Sequence, residues 1–340
     1  PGFPCGERPT EPAPVRTGGG AKREKANMGK RRKKGRPVSG WIILDKAYDL
    51  GSTEAVSKVK WLFQAQKAGH AGTLDPLATG VLPIALGEAT KTAPYVMAAE
   101  KRYRFTAFWG SSTTTDDGEG EAIASSEKRP SREEIEAILD RFTGEIEQVP
   151  PQFSAIKVGG ERAYDLAREG ATVALEPRIV DIHSLELVEM PDADHAVFEA
   201  VTGKGAYVRA LVRDMAHVLG TEGHVSELRR VAVGPFHADD AVTIAELEAM
   251  ENLEARDEAI APIATALSNL PQAALGGPEV EKLRRGQAAV ISPATARGVR
   301  GGEAGVIPAV LACMNGEAIA ICELDGLKLK PVRVFVEGGE

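Results

Sequence analysis

Apolar positions along this chain follow two spacings, every second residue or every third to fourth, with polar stretches between them. Trp41–Leu44 is a short apolar run that ends at Asp45 and Lys46, and it predicts a strand. Behind Ser52, a residue type that caps helices, Val56, Val59, Leu62 and Phe63 recur at helical spacing. Lys101–Gly110 alternates, with Tyr103, Phe105, Ala107 and Trp109 on one side and Arg102, Arg104 and Thr106 on the other. That is the pattern of a half-buried strand whose basic residues lie near solvent. Ser131 and Glu134 have the spacing of a capping box, which opens a helix through Ile135, Ile138, Leu139 and Phe142 that Gly144 stops. Val197–Thr202 predicts a strand and Gly203-Lys204-Gly205 a turn. A helix follows with Val208, Leu211, Val212, Met215 and Leu219 on one face. Strands mixed with helices, without a regular βαβ alternation, predict an α+β body.

From about residue 270 the texture changes to short strands: Val310–Met314, Ala318–Cys322, Leu327–Leu329 and Val332–Phe335. Asn315-Gly316 and Asp325-Gly326 between them are strong hairpin signals. The expected organisation is a body over 37–265 and a compact β module over 270–338. Residues 1–36, rich in Pro, Gly and charge, have almost nothing apolar to offset the entropy of ordering and predict a disordered basic tail. Within it, residues 1–27, upstream of Met28, read as leader, vector or upstream sequence.

Composition narrows the class. The chain is 43% apolar and 26% charged, an ordinary globular balance. Three cysteines, Cys5, Cys313 and Cys322, cannot build a disulfide framework and point to a reducing compartment. Apolar runs such as Val81–Leu86 are far shorter than the roughly 20 residues a membrane span needs. No apolar segment of signal-peptide type follows the basic start, so the expected location is cytoplasmic. The net charge of −8 hides an asymmetry: residues 1–36 hold 11 of the 41 Lys and Arg but 3 of the 49 Asp and Glu. The body is therefore acidic, and only a local basic face could meet a polyanion.

The six histidines form no metal-binding spacing, and the sequence has no phosphate-binding glycine loop and no serine elbow. The dense stretch is Gly69–Gly80. Asp75 precedes Pro76, which holds it extended, and two glycines lie just upstream. An Asp so placed can present a carboxylate into a cleft, although an Asp-Pro step by itself also serves simply to start a turn. His70 alone reads as a surface or capping histidine, Tyr103 as a sheet-packing residue and Arg209 as an exposed helix arginine. Position does not join them.

A resemblance does. Ala68–Pro83, continuing through Leu86–Lys91, resembles the signature of the TruB family of bacterial tRNA pseudouridine-55 synthases. Lys101–Arg104, Pro150–Lys157, Arg162–Ala167, Gly203–Arg209 and Leu228–Arg230 are each similar to a family block, in family order. The resemblance implies the pseudouridine-synthase fold, a mixed or antiparallel sheet with flanking helices, and a C-terminal RNA-binding module of PUA type. It also implies that Asp75 is the catalytic aspartate, Tyr103 the aromatic against the target base and Arg209 the cationic partner of Asp75. Tyr207 and Leu228 match residues lining the uridine pocket, and His70 matches the histidine that enters the opened T loop. Lys46 stands in the family's Leu-Asp-Lys block. Just beyond it the sequence departs: where the family reads Lys-Pro-x-Gly-x-Thr-Ser, this chain has Lys46-Ala47-Tyr48-Asp49-Leu50-Gly51-Ser52.

The reaction so implied, uridine to pseudouridine, needs no redox, phosphoryl or acyl step, so neither cofactor nor metal is expected. One carboxylate acts either as nucleophile at C1′ or in removing the 2′ proton. A structured loop gives up its base only by extrusion, at about a few kcal/mol, of which stacking on Tyr103 returns part. The expected partner is the T-stem loop of tRNA, bound by a monomer with no obligatory protein partner. Lys91, Lys101, Arg102, Arg104, Lys157, Arg229 and Arg230 are the candidate phosphate contacts. Two other readings stand beside this one: a guide-RNA-dependent synthase, and a tRNA-binding or folding module without catalysis. A glycosidase would need a second carboxylate beside Asp75, and none is evident in the sequence.

Overall fold

The computed structural model describes residues 35–154 and 175–336, and the backbone alone at 157–158 and 161–162. The basic tail through residue 34, the side chain of Lys157 and most of the Arg162–Ala167 block lie outside the described residues. Seven strands carry the main sheet: β1 (Gly40–Lys46), β2 (Thr79–Leu86), β3 (Lys101–Trp109), β4 (Gly144–Gln148), β5 (Arg178–Glu189), β6 (His195–Thr202) and β7 (Gly223–Val233). Their spatial order is β1-β2-β7-β3-β6-β5-β4, extended by Ala68–His70 beside β2 and Phe236–His237 beside β7. Pairing is antiparallel except between β2 and β7, where Thr79 and Gly80 lie beside Arg229 and Arg230. Gly80 has φ +97°, and a Cβ there would come within 2.2 Å of the Arg230 carbonyl oxygen, so this contact needs glycine.

The run Trp41–Leu44 is continuously apolar because β1 is buried on both faces. Ile42 and Leu44 pack with Leu82, Ile84 and helix α1 (Ser52–Leu62), which contributes Ala55, Val59 and Leu62. Trp41 and Ile43 pack on the other face with Val81, Ala85, Val233 and Phe236. β3 keeps the expected alternation: Phe105, Ala107 and Trp109 are buried, Arg102 and Arg104 exposed. They meet helix α2 (Val208–Leu219), whose five predicted positions, Val208, Leu211, Val212, Met215 and Leu219, are all in that core. Gly220, at φ +70°, ends α2.

Two expectations are corrected. Ser131 and Glu134 do form a capping box, but the α-helix ends at Glu136 and continues as a 3₁₀ turn over Leu139–Phe142. The tighter turn delivers the chain to Gly144, φ +86°, where β4 begins, and Ile135 and Phe142 still share one core. Ser52 does not cap α1; Gly51 stands at the N-cap position and the Ser52 side chain is used elsewhere.

The C-terminal β domain is a separate sheet of β8 (Gln272–Ala274), β9 (Ala289–Val290), β10 (Ile307–Met314), β11 (Glu317–Asp325) and β12 (Lys328–Val334), ordered β8-β10-β11-β12-β9. Asn315 (φ +52°) and Gly316 (φ +84°) join β10 to β11, both in the left-handed region that a two-residue I′ hairpin requires. The two short strands expected after Gly326 are one, β12, because a register shift at Cys322 lets the ladder run on past Pro331. One face of this sheet builds its own core around Leu283, Val299, Val310 and Cys322. Leu311, Ile321 and Phe335 meet Leu267 and Tyr95 of the body.

Candidate active site

Residues 71–78, between the Ala68–His70 strand and β2, have no regular structure, yet their backbone is tightly held. Leu74 and Ala78 sink into the α1 core. Ser52 Oγ donates to the Leu74 carbonyl at 2.7 Å and accepts from the Leu74 amide at 2.9 Å. Lys46 Nζ donates to the Pro76 carbonyl at 2.9 Å, and also to those of Ala47 at 2.9 Å and Leu50 at 2.8 Å. Arg230 donates to the Gly72 and Thr73 carbonyls, each at 3.3 Å, and to the Val81 carbonyl at 2.8 Å. The carbonyls of Gly72, Thr73, Leu74 and Pro76 are thus satisfied by side chains from three other segments, as buried backbone groups must be.

The Asp75 side chain points out of this cradle, 36% exposed, with one oxygen 2.9 Å from Arg209 Nη2. Arg209 occupies the first turn of α2 and is 5% exposed. It also donates to the carbonyls of Thr115 at 2.8 Å and Phe153 at 3.0 Å, and lies 3.4 Å from Asp117. Asp117 is held in turn by the Thr115 hydroxyl at 2.5 Å and the Glu119 amide at 3.0 Å. A buried guanidinium therefore spans two carboxylates, Asp117 on the closed side and Asp75 on the open side, as an ion pair with each. Among the described residues no cluster of His, Cys, Asp and Glu could hold a metal ion.

Tyr207 precedes α2, its amide donating to Gln148 Oε1 at 2.8 Å and its carbonyl accepting from Gln148 Nε2 at 3.1 Å. Burial pushes its phenol up, with the charge of Asp75 adding to the effect. Tyr103 is half-buried on β3, between Ala200 of β6 and Arg230 of β7. Leu228 on β7 packs against both the α1 and the α2 cores, so the site lies at their seam. His70 immediately precedes the loop, opposite Ile84. The expected residues Asp75, Arg209 and Tyr207 are brought together, with Tyr103, Leu228 and His70 on the adjoining strands.

The expected cations divide by burial. Lys46, expected to bind substrate, is fully buried with its three donors committed to carbonyls, and burial pushes its ammonium down to about 8. It supports the Asp75 loop. Arg230 and Lys101, expected at phosphates, are buried as well. Lys101 donates to the Met97 and Ala99 carbonyls and is pushed down to about 8 by burial. Arg229 is paired with Asp45 at 2.8 Å, Arg104 with Glu199 at 3.0 Å, and Lys91 with Glu88. Arg102 stays exposed.

Sequence reasoning missed Asp117 and Gln148, and gave Ser52 the wrong task. Asp116-Asp117-Gly118 reads as a solvated turn, and nothing local shows that it faces α2. One position of the departure at Ala47–Gly51 has a structural reason. Asp49 stands where the family has Gly and adopts φ +58°, the left-handed region that Asp and Asn tolerate best after glycine. Asp49→Gly is expected to leave the melting temperature unchanged or slightly raised. Asp49→Val should lower stability by about 1–3 kcal/mol, and equal urea midpoints for the two would contradict this reading.

Two family models match the chain in succession. The TruB family pseudouridylate synthase N-terminal domain matches residues 60–208, and the tRNA pseudouridylate synthase B C-terminal domain matches 209–268. The tRNA pseudouridine synthase B of Caulobacter sp. strain K31 is 54% identical over 311 residues, covering 90% of this chain and 98% of that protein. The synthase of the same name from Brucella ovis is 51% identical over 328 residues with the same coverage. In fold, the chain is similar to a chain of the Cbf5-Nop10-Gar1 complex, with a TM-score of 0.67 at 24% identity, covering 92% of each. With a cradled carboxylate on an arginine at the N-terminus of α2 and these relatives along nearly its whole length, the chain belongs to the TruB family of pseudouridylate synthases.

Proposed function

We propose that this protein isomerises uridine 55 in the T loop of tRNA to pseudouridine, with Asp75 as the catalytic carboxylate. The observation that carries the reading is the Asp75–Arg209 pair, a partly open carboxylate on a buried guanidinium at the seam of two cores. The N1–C1′ bond breaks, the base turns, C5 joins C1′, and the C5 proton leaves while N1 gains one, so atoms balance without an external reactant. Asp75 either attacks C1′ or assists removal of the 2′ proton. Tyr103 stacks on the extruded base, Leu228 and Tyr207 close the pocket, and His70 takes the space the base vacates in the T loop. Lys46 acts indirectly, by fixing the loop that carries Asp75.

The protein acts as a cytoplasmic monomer on bare tRNA, without cofactor, guide RNA or obligatory partner. An identity of 54% to a tRNA pseudouridine synthase B over 90% of the chain favours this over a guide-dependent mode. Among the described residues no helix is long and apolar enough to cross a membrane. The C-terminal β domain is a PUA-like module that binds RNA.

The test is tritium release from a tRNA transcript labelled at uridine C5, because forming the C5–C1′ bond must expel that hydrogen. Release is expected from the parent transcript with no added RNA or protein, and none when uridine 55 is replaced by cytidine. Salt-sensitive tRNA binding with no release would support the binding module instead, and release only on adding a guide RNA would support the guided enzyme.

A further inference from the structure

One turn along α2 from Arg209, a second arginine repeats the arrangement. Arg213 Nη1 lies 2.9 Å from Asp116, its Nε 2.9 Å from Asp214, and its Nη2 donates to the Val149 carbonyl at 2.8 Å. Residues i and i+4 share a helix face, so consecutive arginines of α2 meet the consecutive Asp116 and Asp117 of one loop. Asp116 adopts φ +61°, and the Val225 amide donates to its carbonyl at 3.1 Å. The loop is thereby anchored to β7 with its two carboxylates aimed at successive turns of the helix.

The charges do not balance comfortably. Four carboxylates, Asp75, Asp116, Asp117 and Asp214, share two guanidiniums, Arg209 and Arg213. Asp116 is only 14% exposed. Burial raises its carboxyl, while Arg213 first and Arg209 second act against that. Arg209 already meets the residues on either side of Asp116, the Thr115 carbonyl at 2.8 Å and Asp117 at 3.4 Å, and so stands within reach of the Asp116 carboxylate.

We propose that Arg213 is a positioning residue for the isomerisation: by holding Asp116, it keeps Arg209 committed to Asp75. Arg213 touches neither Asp75 nor the open side of the pair. Its effect passes through the competition among carboxylates for Arg209. The proposal rests on Asp75 being the catalytic carboxylate.

The test follows tritium release under single-turnover conditions, with tRNA affinity from filter binding and a thermal melt for each variant. Arg213→Met should slow release about tenfold, the size of effect coupled neighbours in one charge network produce, with tRNA affinity nearly unchanged. The double variant Asp116→Asn with Arg213→Met removes the competing charge together with its guard, and should return the rate to within about threefold of the parent. Both variants lose the bond to Val149, so a role confined to holding that segment would slow them alike. Arg213→Lys, which keeps a cation beside Asp116, should retain most of the rate and remains informative if Arg213→Met does not fold. A double variant no faster than Arg213→Met, a folded Arg213→Met at the parental rate, or a tenfold loss in folded Arg213→Lys would each overturn the proposal. Asp75→Asn in the same series separates the two layers: if it turns over normally, the assignment of Asp75 fails whatever Arg213 does.

Discussion

Asp75→Asn is expected to abolish tritium release, by about 10⁴-fold or more, while leaving tRNA affinity within a few fold of the parent. The amide fills the same volume but can neither attack C1′ nor take a proton. The loop around it should not move, because its anchors are backbone carbonyls held by Lys46, Ser52 and Arg230 and do not involve the Asp75 side chain. The melting temperature should therefore change little, which separates lost chemistry from lost fold. Release within tenfold of the parental rate in that variant would remove Asp75 from the reaction.

Arg209→Met should damage both stability and rate. Asp117, with its side chain 11% exposed, would lose its guanidinium, and the Thr115 and Phe153 carbonyls would lose a donor. Removing one partner of a buried pair costs about 3–5 kcal/mol. The Asp75 contact adds less, since that carboxylate is more than a third open to screening solvent. At a temperature where the variant is still folded, release should fall by about 10²–10³-fold, as when one oriented donor is removed from a catalytic site. Urea melts and single-turnover release measure the two losses separately. Parental stability in this variant would mean that Asp117 has another way to be satisfied.

The elements that could be read from sequence are those whose signal is local. The alternation of β3, the apolar face of α2, the Ser131–Glu134 box and the Asn315-Gly316 turn each depend on residues within one or two turns of each other, and each is present. What escaped depends on long-range pairing. Ser52 has the right type and place for a helix cap, yet its hydroxyl is taken by Leu74, 22 residues away. Lys46 and Arg230 belong to a charge class that is usually solvated. They are buried because an irregular loop offers them carbonyls that no strand partner could reach. Asp75 and Arg209 were linked by family resemblance alone, since nothing in the composition of either segment indicates that a loop and a helix start 134 positions apart meet at 2.9 Å.

The cradle beneath Asp75 has one more consequence. Loops in enzymes ordinarily open at low free energy, ahead of the rest of the fold. The carbonyls of Gly72, Thr73, Leu74 and Pro76 are tied to three buried side chains, Lys46 at the end of β1, Ser52 at the start of α1 and Arg230 within β7, so opening this loop means breaking bonds to buried groups of three elements. A loop held in this way favours an Asp75 carboxylate placed before the RNA arrives. If Asp75 is the catalytic carboxylate, the deformation that brings a stacked nucleotide to it would fall on the RNA, and substrates would be sorted by how cheaply their own loops come apart.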